Sequence, residues 1–516
     1  MVHNKSAATT TTTLIVPHKT LITICVMLAT IMQALDSTIA NVALPHMQGT
    51  LSATQDQMSW VLTSYIVSAA IMIPLTGWLA GQFGRRKIFL ISIAGFTVAS
   101  ALCGMASSLP QIVLFRIMQG VFGAALVPLS QAVLFDINRK EDFGRAMAIW
   151  GVGVTMGPIL GPALGGWLTE NYNWRFVFYI NLPIGIAALL GLWYALPENK
   201  NSERQKFDFF GFFSLSLMIA SLQIMLDRGQ LKDWFSDSEI IIEAVLASVG
   251  FYWICIQTCS VPKPFINPKL FADRNFLISN IFIFLVGIIL FATMALLPPM
   301  LQNQLNYPVV LTGLVTAPRG IGTMSAMMLV GYLIKKIDIR KIIAAGLILT
   351  AYSLWKMAHF SLTMDTNPII ISGLLQGFGI GLVYVPLSTV AFATLAANLR
   401  TEGTSFFNLL RNLGSSIGIS VVGFLLTQNT QIMHATLTEH ITPYNQHGAA
   451  FLNNHIVVNT AAGLANLDQM LSNQAAMIAY NNDFVFMMYM TLLTIPLLLL
   501  FERPKAVTSG HAAILD

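Results

Sequence analysis

About fourteen apolar runs, each long enough to cross a bilayer as a helix, recur between residues 19 and 500 and restrict this chain to a helical membrane fold. They centre near residues 30, 67, 97, 124, 157, 187, 217, 248, 287, 321, 350, 380, 414 and 491. In hydrocarbon every backbone N–H and C=O must be satisfied within the segment, which leaves helices for runs of this kind. Composition agrees. Hydrophobic residues make up 55% of the 516 and charged ones 10%, against about 25% charged in a soluble domain. No small-residue cleavage site follows the first run, so it is expected to remain as the first helix. The four cysteines (Cys25, Cys103, Cys255, Cys259) lie in apolar stretches. They read as small buried hydrophobes, with no disulfide framework.

Basic residues give the runs an orientation. Lys5 and Lys19 precede the first, Arg85, Arg86 and Lys87 follow the second, and Arg139, Lys140 and Arg145 follow the fourth. Lys200, Arg204 and Lys206 follow the sixth, Lys263, Lys269 and Arg274 the eighth, and Lys335, Lys336, Arg340 and Lys341 the tenth. Arg503 and Lys505 come after the last. The alternate loops 45–57, 104–111, 301–308 and 428–481 hold no Lys or Arg. This alternation is the positive-inside pattern, with an even number of spans and both termini expected in the cytoplasm. The expected organisation is a cytoplasmic tail over 1–18, a six-helix bundle over 19–198, and a linker with two extra helices over 199–274. A second six-helix bundle over 275–516 carries a long periplasmic loop over 428–481. Leu464, Leu467, Met470 and Leu471 recur in that loop at helical spacing. It is either solvated with one amphipathic helix or a docking surface for a periplasmic partner. Its histidines (His434, His440, His447, His455) fit no zinc spacing, and no metal is expected.

The chain repeats itself in parallel. Gly77–Lys87 after the second run corresponds to Gly331–Lys341 after the tenth. Gln119-Gly120 with Pro128-Leu129-Ser130 corresponds to Gln376-Gly377 with Pro386-Leu387-Ser388. Ala43-Leu44-Pro45 resembles Ala295-Leu-Leu-Pro298. All three matches imply a shift of eight runs, hence six spans, two inserted, and six again. Parallel repeats of this kind build transporters that rock two halves about a midplane site.

Several segments carry a family resemblance: Leu35–Pro45, Arg116-Ile-Met-Gln-Gly120, Gly157-Pro-Ile-Leu-Gly-Pro-Ala-Leu-Gly-Gly166, Trp174–Gly185 and Leu222–Gly229. Over nearly its whole length the chain resembles the fourteen-span drug:proton antiporters of the major facilitator superfamily, in their EmrB-type branch. The Gly-Pro segment is similar to the motif that marks antiporters within that superfamily. The resemblance implies an all-α major facilitator fold of two six-helix bundles plus two inserted central helices, in a bacterial inner membrane. It also implies export of lipophilic drugs, a periplasmic adaptor (EmrA-like) and an outer-membrane channel as partners.

Asp36 lies well inside the first span among apolar or small residues. A carboxylate there costs about 2.5–3.5 kcal/mol to insert, so it needs a partner, water or a proton. It is the candidate proton carrier, the alternative being an acid that fixes helix packing. Arg116, three residues before Gln119, is the candidate regulator of that acid, against an interfacial Arg that snorkels outward. Its counterpart in the second half is Gly373, so the charge belongs to one half. Gly157, Gly161 and Gly165 share one helix face and permit close helix approach, while Pro158 and Pro162 kink the helix. Packing there is expected to seal the two halves against proton leak. Gln33, Asn41, Gln119, Asp227 and Arg319 complete the substrate or gating candidates. In the Gly77–Lys87 segment, Gly81 occupies the place where the wider superfamily pattern has Asp. The resemblance therefore does not extend to the usual acid-based clamp between halves, and Arg85, Arg86 and Lys87 read as residues that enforce topology.

No Walker A or His-Glu-x-x-His pattern occurs, so neither an ATP-driven pump nor a zinc hydrolase is expected. No cofactor, catalytic residue or nucleic-acid partner is expected. The proton gradient is the expected energy source, at about 2.3 kcal/mol per charge per 100 mV. A proton-coupled importer of a small organic solute is the competing function, because a fold does not fix direction.

Overall fold

Side-chain caps and apolar runs divide the chain into long helices. The computed structural model describes residues 18–198, 206–262, 264–440 and 461–501. The expected tail over 1–17, the charged linker residues 199–205, and His447 and His455 lie outside the described residues. The first half comprises α1 (Lys19–Leu51), α2 (Gln55–Phe83), α3 (Arg85–Met105), α4 (Leu109–Ile137), α5 (Phe143–Asn171) and α6 (Phe176–Ala195). The inserted pair is α7 (Phe209–Arg228) and α8 (Ser238–Ser260). The second half comprises α9 (Arg274–Pro299), α10 (Val309–Leu333), α11 (Ile339–Met357), α12 (Thr366–Ala393), α13 (Arg400–His440) and α14 (Ala461–Thr494). Twelve of these are long and apolar enough to cross a membrane by length and composition. The other two, α10 and α11, lie where spans were expected near 321 and 350. Arg319 and four glycines dilute the first, and Arg340, Lys341 and Lys356 the second.

Capping follows composition. The Thr54 hydroxyl and the Gln57 side chain form a reciprocal capping box on α2. Asp208, Asp273 and Asp338 accept backbone N–H groups at the starts of α7, α9 and α11. Asp237 does the same for α8, and the Glu239 N–H together with Lys232 holds its carboxyl below the usual carboxylate range. Gly84, at φ 89°, makes the turn between α2 and α3 in a conformation that side chains disfavour.

Two expectations change. The external loop expected over 428–481 is largely helix, since α13 continues to His440 and α14 begins at Ala461. The two extensions pair, with His434 Nε2 3.0 Å from an Asp468 carboxylate oxygen. Asn, Gln and Thr made the segment look like loop because they are polar, yet polarity on a helix needs only solvent on one face. The cysteines also differ: Cys25 and Cys103 are buried, but Cys255 and Cys259 are exposed on α8. That helix is peripheral, with the smallest buried share (22%) among the twelve apolar spans.

The repeat has a spatial meaning. The second helix of each half packs on the fifth helix of the other, α10 on α5 and α2 on α13. Gly331 faces Ala148, and Gly77 faces the backbone of Glu402. The basic residues of successive loops meet on one face. Arg85 and Arg400 both pair with Asp136, Lys335 lies 2.9 Å from Asp142, and Arg340 donates to the Phe501 carbonyl. Asp136 of α4 thus links α3 to the second half. Slightly deeper, Asn408 Nδ2 donates to Gln131 Oε1 at 2.7 Å across the same interface. An exposed pair such as Lys335–Asp142 contributes only ~0–1 kcal/mol, so closure rests on the buried packing behind it. With the native cysteines replaced by Ser, the pair Asp142→Cys and Lys335→Cys is expected to crosslink readily. Absence of the crosslink on gels would show that this face is not closed in solution.

Candidate functional site

Asp36 is fully buried at the point where the helices of the first half converge. Arg116 Nη1 lies 2.7 Å from Asp36 Oδ2, and the guanidinium is 1% exposed. Gln119 Nε2 and Asn181 Nδ2 donate to Asp36 Oδ1 at 2.8 and 2.9 Å. Each of these donors is held in turn. Arg116 also donates to Gln119 Oε1 at 2.7 Å and, through Nε, to the Val61 carbonyl at 3.1 Å. Its guanidinium carbon sits 4.2 Å from the Tyr65 ring centroid, a cation–π arrangement. Asn181 donates to Ser100 Oγ at 2.9 Å, and Ser100 donates to the Phe178 carbonyl at 2.9 Å. Gln33, one turn before Asp36, donates to the Tyr65 hydroxyl at 3.2 Å.

This network engages both oxygens of Asp36. Its oxygens receive N–H groups from a guanidinium and two amides, the pairing that a buried charge requires. Arg116 and Gln119 reach the same carboxylate because residues three apart share a helix face. Through this carboxyl group α1 is tied to both α4 and α6.

The other candidates fall elsewhere. Asn41 is exposed on α1, and no hydrogen bond joins it to the cluster among the described residues. Asp227 on α7 accepts from Thr63 of α2 at 2.7 Å, tying the inserted pair to the first half. One residue earlier on α7, the Leu226 carbonyl accepts from Ser420 of α13 at 2.7 Å. Arg319 is buried in the second half and donates to the Leu290 carbonyl at 3.0 Å, with no carboxylate partner among the described residues. Its Cβ lies 3.7 Å from the point where a Cβ on Gly373 would fall. The second half therefore places its buried arginine on its second helix, beside the glycine that replaces Arg116. Arg411 of α13 donates to the Tyr384 hydroxyl at 3.2 Å, and Tyr384 stacks on Trp150 of α5, with centroids 6.1 Å apart across the halves.

The glycine face of α5 packs differently from expectation. Gly157, Gly161 and Gly165 lie on α1 of the same half, against Ala34, Thr38 and Ile39, and Thr38 donates to the Gly157 carbonyl at 3.1 Å. The other face of α5, through Gly144, Gly151 and Ile159, meets Ile334 at the end of α10 and Met327 and Gly320 within it. The contact of α5 with the second half is thus made by this second face. The first braces the stretch of α1 that carries Asp36. The side chains of Pro158 and Pro162 lie outside the described residues.

Sequence reasoning missed Asn181 as a ligand of the acid, although it lies in a quoted segment. It also missed Gly414 and Gly418 on α13, which meet Phe284 and Ile288 of α9 as Gly157 and Gly161 meet α1. Their four-residue spacing was the available signal.

Comparison with known proteins agrees with this architecture. The family model described as Major Facilitator Superfamily matches residues 26–419. The chain belongs to that superfamily. Within it the chain belongs to the EmrB-type branch. It is 35% identical to the multidrug export protein EmrB of Haemophilus influenzae over 94% of this chain and 96% of that protein. With the multidrug export protein EmrB of Escherichia coli the identity is 36%, over 90% of this chain and 91% of the other. The crystal structure of the human organic anion transporter MFSD10 (TETRAN) shares the fold, with a TM-score of 0.58 at 15% identity, covering 92% of this chain and 100% of that one. The chain is a multi-pass membrane transporter.

Proposed function

We propose that this chain exports lipophilic drugs across a bacterial inner membrane in exchange for protons, both termini lying in the cytoplasm. The buried Asp36–Arg116 pair carries the reading. A charge pair fully enclosed within one bundle is retained at a cost that packing alone would not demand. In the proposed cycle a proton from the outside neutralises Asp36 and frees it from Arg116. The halves rock, the proton leaves to the cytoplasm, and Asp36 re-forms its bond as drug is taken up. The drug cargo is supported by the names of the two bacterial relatives. Nothing in this cycle is a covalent reaction, and the chain is read as a carrier without enzymatic activity or bound cofactor.

The test is counterflow in vesicles across a panel of lipophilic cations, uncouplers and sugars, with a proton-sensitive dye inside. Drug movement opposed to proton movement is expected. Solute and proton moving in the same direction would replace this reading by proton-coupled import.

The paired extensions of α13 and α14 project beyond the bilayer opposite the basic face, where a periplasmic adaptor with its outer-membrane channel would dock. Deleting residues 441–460 is expected to leave vesicle counterflow intact and to abolish drug resistance in intact cells. Full resistance after the deletion would rule out docking through that segment.

A further inference from the structure

The second half holds a buried acid that the network around Asp36 does not use. Asp483 of α14 is fully buried, and neither of its carboxyl oxygens has a hydrogen-bond partner among the described residues. Tyr480 and Met487, one turn before and one turn after it, belong to an apolar cluster with Leu354, Met357 and Phe360. α14 packs against α9, α11 and α13, and none of them turns a charge toward Asp483. The ammonium of Lys356 on α11 lies over the Tyr352 ring, at 5.9 Å. Arg411 on α13 hydrogen-bonds Tyr384, His434 pairs with Asp468, and the charge on α9 is Arg274 at its basic-face end. Tyr480 is the titratable neighbour on α14 itself.

Burying a carboxyl group with no N–H donor and no cation is costly in its charged form, and binding a proton relieves that cost. Asp36 is the converse, an acid whose two oxygens are saturated with N–H donors. One conformation therefore holds two buried acids in opposite hydrogen-bonding surroundings. We propose that Asp483 is a second proton-binding site, loaded in this conformation and emptied in another, so that the two halves carry protons out of phase. The proposal rests on the antiport reading above. The proton balance is simple: one proton is bound at Asp483 from one aqueous side and released to the other, with no other reactant.

The experiment counts protons released per drug molecule bound or transported by the full-length protein in vesicles, using a pH-sensitive dye. Asp483→Asn copies the neutral acid, so it is expected to fold and melt as the wild type does while releasing about half as many protons per drug. Asp483→Glu, which restores a titratable group, is expected to recover the wild-type count, which a packing role would not do. Equal counts in wild type and Asp483→Asn would overturn the proposal. So would a clear loss of thermal stability in Asp483→Asn, because the acid would then be held charged for structural reasons. Failure of the antiport reading looks different: wild type itself would move drug with no proton release, and both would fall.

Discussion

Asp36→Asn is expected to leave the protein inserted in the membrane but to abolish drug-dependent proton release. The asparagine fits the same space, yet it cannot take up and give back a proton at neutral pH. It also leaves the Arg116 guanidinium, 1% exposed, without its counter-charge. Removing one partner of a buried pair costs about 3–5 kcal/mol, so the variant is expected to melt well below the wild type. The double variant Asp36→Asn with Arg116→Gln removes both charges and is expected to regain most of that stability. It is not expected to regain coupling. This separation matters, because an acid that only fixed helix packing would recover function along with stability. Proton release measured with a pH dye, beside detergent melting curves of the three variants, decides between them. Coupled export in Asp36→Asn would remove Asp36 from the proton path.

Much of this site was legible because its chemistry is rare in its surroundings. A lone acid in an apolar span and an Arg-x-x-Gln spacing in another identify themselves, as hydrocarbon tolerates few such groups. The fourteen helices and the parallel repeat were legible for a similar reason, since span length and basic loops are set by the bilayer. Partners across the bundle were not. Asn181 reaches Asp36 because α6 rotates it inward, and that rotation is set by packing with α1 and α3, not by local sequence. The α5 glycines announced a close approach without naming the helix approached. Each half has a glycine-lined fifth helix, and only assembly shows that its glycines face the first helix of the same half. Asp483 was missed because Asn-Asn-Asp at a polar-to-apolar boundary reads as the edge of a loop, while the helix in fact continues through it.

The second large effect is expected from that glycine face, at a distance from any charge. A Cβ on Gly157 would lie 2.4 Å from the Ala34 carbonyl carbon and 2.6 Å from its oxygen. Backbone atoms have no rotamer with which to yield, so α1 must move where it carries Asp36, two residues on. A shift of about an ångström there breaks hydrogen bonds that weaken steeply beyond about 3.2 Å. Gly157→Val is therefore expected to reduce transport to background, with a smaller loss of protein amount than of activity. Gly166, on the neighbouring strip of the same helix, is the internal control. Its Cβ would meet only Val42 Cγ1 at 4.0 Å, an ordinary contact, and Gly166→Ala is expected to transport as wild type. The comparison isolates close approach from helix propensity, since alanine and valine both favour a helix over glycine. Wild-type transport by Gly157→Val, measured at equal protein amount, would mean that α1 can separate from α5 without disturbing the acid. The proton site would then have to tolerate a loose α1, against the tight network that binds Asp36 to α4 and α6.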